Sequence, residues 1–281
     1  MPKNNSSIKP YLKWAGGKRQ LIKEISAYIP KNFSTYYEPF VGAGAVLFSL
    51  QPKHAVINDN NEQLMLTYKV IKNNVESLIN ALIEHKEHNC EEYYYKIREK
   101  DRNIEEFRKQ SDVQKAARLI YLNKTCYNGL YRVNSQGLFN VPYGKYKNPD
   151  IFDPFVLRAI SRYLNENDIL IQSGDFEVSV ETADDNSFVY FDPPYHSPDN
   201  TNFTGYQAGG FDEDEQIRLR DVYERLSKRG VKCLLSNSDT PFIRELYKNY
   251  EIITVEANRA INSNADRRGK VSELLIKNWK D

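Results

Sequence analysis

Residues 187–195 read Ser-Phe-Val-Tyr-Phe-Asp-Pro-Pro-Tyr, an apolar run that stops at Asp192, Pro193, Pro194 and Tyr195. A short apolar run bounded by turn residues reads as a buried strand. In an open α/β sheet, ligands sit beyond the carboxyl ends of strands, where this tetrapeptide falls. Two prolines fix the backbone and strip it of donors, leaving bare carbonyls as acceptors. A carboxylate and a bare carbonyl together accept both hydrogens of one planar amino group, and the following Tyr is placed to stack on the ring that bears it. An Asp-Pro pair ends strands in many settings. Four residues in this order after an apolar run favour a site.

Outward from this strand, helices and strands alternate at both ends of the chain. An amphipathic helix over 18–28 is closed by Pro30, and Tyr36 to Phe40 reads as a short strand. A helix from Ala45 to Leu50, a strand from His54 to Asn58 and a helix from Leu64 to Ile71 follow. Residues 74–122 carry helical spacing without Pro, and 123–150 turn to Asn, Gly, Pro and Tyr, the chemistry of a loop or hairpin. A helix after Pro154 leads to a strand near 168–172. Beyond the central strand come a helix at 213–228, strand 231–236, helix 241–247 and strands 251–257 and 272–279. This alternation predicts an α/β sheet with crossovers. Residues 1–60 and 166–281 would form the sheet domain, with 61–165 inserted as a helical and hairpin subdomain.

Two further turns carry chemistry. Glu38-Pro39-Phe40-Val41-Gly42-Ala43-Gly44 joins a strand to a helix, and its glycines let the backbone approach a ligand beside the free N–H groups of the helix start. A lone G-x-G suits any tight turn, but Asp59 after the next strand is placed to hold ribose hydroxyls. No phosphate-cradling motif is present, so a nucleoside fits better than a nucleotide. Near the start, Trp14 precedes the Gly16-Gly17 pair, and Lys18 is placed to meet a carboxylate.

The chain has 281 residues, 40% of them hydrophobic, and a net charge of +1, which excludes a disordered or fibrous chain and advertises no polyanionic partner in bulk. Local charge is uneven. From Lys115 to Pro149 there are six Lys or Arg, no Asp or Glu, and five Tyr. Such a stretch can grip phosphates and stack on bases, though a solvated helix face in a Tyr-rich chain has the same composition. Within it, Asn128 and Arg132 have the shape for bidentate base contacts, and Tyr127 for a wedge. His85, His88 and Cys90 lie on a polar helix with no fourth metal ligand near, and His54 and His196 show no obvious partner. No metal and no covalent intermediate are expected. No run of ~18 apolar residues spans a membrane and the start lacks a signal-like apolar core, so a cytoplasmic chain is expected.

Taken together, these residues resemble the Dam family of DNA adenine methyltransferases. The matching elements are KWAGGK at 13–18, EPFVGAG at 38–44, Asn58-Asp59 with Asn61, YNGLYRVN at 127–134, FNVPYGKYKNP at 139–149, DPPY at 192–195, NFTGY at 202–206 and LSNSDT at 235–240. DPPY alone marks amino-methyltransferases broadly; its co-occurrence with YNGLYRVN and NVPYG is specific to this family. The resemblance implies an S-adenosylmethionine-dependent, Rossmann-like mixed sheet with an inserted target-recognition subdomain. It implies a cofactor site of Trp14, Lys18, Glu38, Phe40, Gly42, Gly44, Asp59 and Asp192, with Asp175 and Phe176 flanking the adenine. It implies that Lys13, Lys124, Asn128, Leu130, Arg132, Asn134 and Pro142 face double-stranded DNA at a GATC site, with single-stranded DNA left open. Tyr127 would wedge at a flipped base. Tyr146 and the tail cations Arg259, Arg267, Arg268 and Lys270 would touch the backbone. The chain departs from the family after DPPY, where a Pro-Leu-Ser stretch usually follows and here His196-Ser197-Pro198-Asp199 stands.

The implied chemistry is methyl transfer to the exocyclic amino group of an extruded adenine, with Asp192 and the Pro193 carbonyl as orienters and Tyr195 stacked on the base. Two other readings are compatible with the sequence: an amino-methyltransferase on another DNA site or substrate, and a non-catalytic DNA-binding regulator on the same scaffold. No dimer seam is visible, so a monomer is expected. Self-protection beside a nuclease, repair marking and phage evasion all fit as roles.

Overall fold

The computed structural model describes residues 8–14, 16–197, 211–258 and 270–280. Seven strands, β1 (Thr35–Glu38), β2 (His54–Ile57), β3 (Asp168–Ile171), β4 (Ser187–Phe191), β5 (Lys232–Ser238), β6 (Glu251–Asn258) and β7 (Lys270–Lys277), form one sheet in the order β3-β2-β1-β4-β5-β7-β6. The first five are parallel, and β7 runs antiparallel to both β5 and β6. This is the mixed α/β sheet expected for the methyltransferase fold.

The helices are α1 (Ile22–Ala27), α2 (Ala45–Leu50), α3 (Glu62–Asn73), α4 (Val75–Glu87), α5 (Glu91–Glu99), α6 (Ile104–Lys109), α7 (Asp112–Thr125), α8 (Pro154–Glu166), α9 (Phe176–Ser179), α10 (Glu213–Lys228) and α11 (Pro241–Leu246). The 18–28 helix read from sequence is broken. A 3₁₀ turn over Lys18–Gln20 precedes α1, and Leu21 at the junction leaves helical geometry at φ −101°, ψ 5°. The short α9 carries no periodicity long enough to read.

Strand alternation builds two cores. Tyr36, Phe188, Tyr190, Leu234 and Leu275 face one side, under α2, α3, α7 and α8. Tyr37, Val189, Phe191, Leu235, Leu274 and Ile276 face the other, under α9, α10 and α11. Because successive side chains leave a strand on opposite faces, β4 is buried on both and reads as a continuous apolar run. Between β2 and β3 the chain inserts α3 to α8, whose buried residues Leu64, Tyr68, Leu119 and Tyr121 are continuous with the first core. Among the described residues no helix is long and apolar enough to cross a membrane.

Candidate active site and DNA-reading hairpin

The chain winds from β1 through β2 to β3 in one direction and from β4 to β5 in the other, so β1 and β4 meet at the topological switch point. Crevices open there, beyond the carboxyl ends of the strands. Two residues beyond Tyr36 and Tyr190 on their shared face come Glu38 and Asp192. The Tyr36 hydroxyl donates to Glu38 Oε2 at 2.9 Å. Burial, reinforced by the charge of Asp192, pushes the Glu38 carboxyl well above the usual carboxylate range, with the Tyr36 bond opposing.

Lys18 reaches across to this pair. Its Nζ lies 2.9 Å from Asp192 Oδ1 and donates to the Gly16 carbonyl at 2.9 Å. The ammonium and the carboxylate form an ion pair with both side chains largely buried. Burial raises the Asp192 carboxyl to about 6 although Lys18 pulls it down. Among the described residues no donor meets Asp192 Oδ2 or the Pro193 carbonyl. The Pro194 carbonyl, also expected to be bare, is not: Gln216 Nε2 donates to it at 2.8 Å.

The segment after Asp192 is clamped from below. Gln216 Oε1 accepts from Asn237 Nδ2 at 2.9 Å, and Asn237 Oδ1 accepts the His196 backbone N–H at 3.2 Å. Ser238 Oγ donates to the His196 carbonyl at 2.7 Å. His196 therefore has partners, contrary to the sequence reading: its Nδ1 lies 3.0 Å from Thr240 Oγ1, its Nε2 3.2 Å from Glu213 Oε1, and its ring packs on Phe242. The LSNSDT stretch thus supplies three groups that fix His196, and through the Asn237–Gln216 bond it supports the hold on Pro194. Tyr195 donates its hydroxyl to Glu273 Oε2 at 2.6 Å, and Lys18 Nζ stands 4.4 Å from its ring centre.

Around the β1–α2 turn, Gly42 N–H and Asn61 N–H donate to the two oxygens of Asp59 at 3.1 and 2.9 Å. Burial raises Asp59 to about 6 against those bonds. Each oxygen keeps a further lone pair for a ligand hydroxyl. Gly42 lies so close to Trp14 that a β-carbon there would stand 3.0 Å from the indole Cδ1, while one on Gly44 would stand 2.7 Å from the Tyr68 hydroxyl. Both adopt positive φ, 50° and 74°. Phe40 packs on Phe176 with ring centres 5.3 Å apart, and Phe211, which carried no sequence signal, completes the cluster. Asp175 caps α9 and is forked by Arg218, whose hydrogen bonds hold its carboxyl below the usual range. Arg218 also lies 4.2 Å over the Phe176 ring.

The basic stretch forms a hairpin bridged at Cys126–Tyr143 and Val133–Phe139. Lys13 and Asn123 exchange hydrogen bonds through the Lys13 backbone at 2.9 and 2.7 Å, and a β-carbon on Gly129 would overlap the Lys13 side chain. Lys13 Nζ lies 4.5 Å from the Tyr146 ring centre. This joins the N-terminal turn to the hairpin, as does the stack of Trp14 on Tyr131 at 5.2 Å. Tyr127, Asn128 and Pro142 are exposed, while Lys124, Leu130, Arg132, Asn134 and Tyr146 are half-buried. Asn128 takes the left-handed conformation at φ 54°. Arg132 Nε donates to Asn140 Oδ1 at 2.6 Å, which aims the guanidinium along the hairpin. Asn134 Oδ1 accepts from Gln136 and Leu138 N–H, so its oxygen shapes the tip.

The inserted helices hold the second arm of this hairpin. Asp101 Oδ2 accepts the Phe139 N–H at 3.0 Å, and Arg102 Nη2 donates to the Phe139 carbonyl at 2.6 Å. Asp101 is paired at 2.8 Å with Arg118, which is 2% exposed. Tyr94 donates to the Val141 carbonyl at 2.8 Å. His85, expected on a polar face, is buried against Tyr121 and bonded to Tyr93 at 2.8 Å, and that burial lowers it to about 4. His54 Nδ1 meets Asp168 Oδ2 at 3.4 Å. The NFTGY stretch at 202–206 and Arg259, Arg267 and Arg268 lie outside the described residues, and the Lys270 side chain is not described.

The fold and the rim define a methyltransferase of the amino-group class. Residues 14–261 match the D12 class of N6 adenine-specific DNA methyltransferases. The chain is similar to the Type II methyltransferase M1.LlaDCHI of Lactococcus lactis subsp. cremoris, 45% identical over 99% of this chain and 98% of that one. It is similar to the Type II methyltransferase M.MjaIII of Methanocaldococcus jannaschii, 46% identical over 97% of this chain and 99% of that one. It is 37% identical to the DNA adenine methylase of Escherichia coli over 94% of this chain and 93% of that one. The chain belongs to the D12 class of N6 adenine-specific DNA methyltransferases. It acts on DNA, transferring a methyl group to adenine, and membership implies S-adenosylmethionine as the donor.

Proposed function

We propose that this enzyme methylates the adenine of GATC in double-stranded DNA after extruding the base into the rim between β1 and β4. The observation that carries the reading is the state of two acceptors. Lys18 forms an ion pair with Asp192 Oδ1 and Gln216 covers the Pro194 carbonyl, which leaves Asp192 Oδ2 and the Pro193 carbonyl as the acceptors without a hydrogen bond among the described residues. Two acceptors on adjacent residues match the two hydrogens of one adenine amino group. The adenine nitrogen is a weak nucleophile because its lone pair is shared with the ring. Asp192 and Pro193 draw its hydrogens out of that plane and free the lone pair, and Tyr195 stacks on the base. Extrusion costs a few kcal/mol of unstacking.

The rim suits S-adenosylmethionine. Asp59 and Asp192 outnumber Lys18, so the rim favours a cationic sulfonium nucleoside over a phosphate-bearing nucleotide. Asp59 would hold ribose hydroxyls, Glu38 and Lys18 the polar end, Trp14 with Gly42 and Gly44 the wall, and Phe40 with Phe176 the adenine. Asp175 acts through its α9 cap and Arg218 rather than through a free carboxylate. When bound, the cofactor supplies an already electrophilic methyl group, so no metal is invoked. Asp192 orients rather than deprotonates, since the alkylated amine sheds its proton readily.

The hairpin would enter the major groove, with Lys13, Asn128, Leu130, Arg132 and Pro142 reading bases, Tyr127 wedging, Lys124 and Tyr146 on the backbone, and Asn134 shaping the tip. Residues 61–165 then act as the target-recognition unit, and 1–60 with 166–281 as the catalytic unit, in a monomeric cytoplasmic enzyme. The similarity to Type II methyltransferases supports a role beside a cognate nuclease. Mapping methylated bases in DNA from a host expressing the chain tests the reading: methyl on the adenine of GATC supports it, and methyl at another sequence overturns the site assignment.

A further inference from the structure

Tyr195 is held at more points than any neighbour in its tetrapeptide. Its hydroxyl donates to Glu273 Oε2 at 2.6 Å, and the Lys18 ammonium stands 4.4 Å from its ring centre. The backbone on either side is pinned through Pro194 by Gln216 and through His196 by Asn237. Glu273 comes from β7, the antiparallel strand between β5 and β6, where it pairs in register with Ser238 and Val255. Neighbours on both sides hold that strand, so its carboxylate is a fixed anchor. A phenol held at its oxygen cannot swing the long axis of its ring away, and the Lys18 ammonium over one face resists rotation about that axis. Stacking on a base depends on where that ring sits.

We propose that Glu273 is a positioning residue for methyl transfer, holding the Tyr195 ring axis in place beneath the Lys18 ammonium so that the other face meets the extruded adenine. The inference rests on the reading that Tyr195 stacks on the target base. Catalysis requires reacting atoms aligned closely, and a small misplacement from a remote change can cost ~10²-fold. Loss of the anchor is felt in kcat, because Glu273 touches neither substrate nor donor.

The test uses the full chain with a duplex carrying 2-aminopurine at the target adenine, read by fluorescence and, on the natural duplex, by steady-state transfer. In wild type the probe brightens on extrusion and is partly quenched by stacking on Tyr195. Glu273→Ala should brighten it further and lower kcat about tenfold, within the range that base–aromatic stacking commands, with KM for S-adenosylmethionine unchanged. Glu273→Gln keeps an acceptor and should stay within about threefold of wild type. Tyr195→Phe removes the same bond from the other side with little risk to folding and should reproduce Glu273→Ala. The double variant should be no worse than either single one, since both delete one interaction. Wild-type kcat and fluorescence in Glu273→Ala, or losses that multiply in the double variant, would overturn the inference. A Tyr195→Ala variant whose bound probe is no brighter than that of the wild type would overturn the stacking reading itself, and this one with it.

Discussion

Lys18 Nζ stands 2.9 Å from Asp192 Oδ1. One contact decides the electrostatics of the rim. Burial drives Asp192 toward its neutral form, Lys18 drives it back, and Tyr195 lies beside both. The ion pair occupies one oxygen and keeps the carboxylate charged, which is the state that can accept an amino hydrogen.

That balance sets a pH dependence. Asp192 titrates at about 6, and protonation removes its capacity to accept. Activity is therefore full above that value and falls through it as pH drops, approaching tenfold per pH unit. The charges facing the group are Lys18 and Glu273, with Glu38 beside them. Lys18→Met removes the pull toward ionisation, so the acid limb of kcat/KM should move to higher pH. Asp59 also titrates at about 6, but it is not in contact with Lys18, so a limb unmoved in Lys18→Met would assign the profile to Asp59 instead.

The two turn glycines predict different failures. A β-carbon on Gly44 meets the Tyr68 hydroxyl and the Phe48 ring in a packed core, at a φ that side chains resist. Gly44→Ala should cost about 2 kcal/mol or more of stability, read as a lowered midpoint in urea. Gly42→Ala pushes against Trp14, which is half-buried. It should cost about 1 kcal/mol of strain while weakening S-adenosylhomocysteine binding at least tenfold by calorimetry.

The Asp101–Arg118 pair predicts a coupled loss. Asp101→Ala leaves a guanidinium buried at 2% exposure without its carboxylate and frees the Phe139 N–H. Breaking a buried pair on one side typically costs about 3–5 kcal/mol. Urea unfolding should show that loss, and the ratio of kcat/KM for the proposed GATC site over a singly altered one should fall because the hairpin arm is no longer held.

How much of this was legible follows from the range of each interaction. The β4 strand and its tetrapeptide are written locally, as an apolar run cut by Asp192 and two prolines, and the sequence placed them within a residue. The meeting of Lys18 with a carboxylate was anticipated, although its partner lies 174 positions away and only the strand order brings them together. Glu273 and Gln216 gave no signal, because a Glu in a strand or a Gln in a helix looks solvated until long-range pairing buries it, and Asn237 was marked only as part of LSNSDT, without its partners. His196 lacked a partner in sequence for the same reason: Thr240 and Glu213 arrive from the N-cap of α11 and from α10. The hairpin was visible in composition, whereas its support by Asp101 and Arg118 required three helices to pack.

The most direct measurement is transfer of radiolabelled methyl from S-adenosylmethionine to a GATC duplex by Asp192→Ala, with cofactor affinity followed in parallel. If Asp192 orients the adenine amino group, kcat falls about 10³-fold while the variant stays folded and still binds S-adenosylhomocysteine. Turnover near that of the wild type would contradict the account.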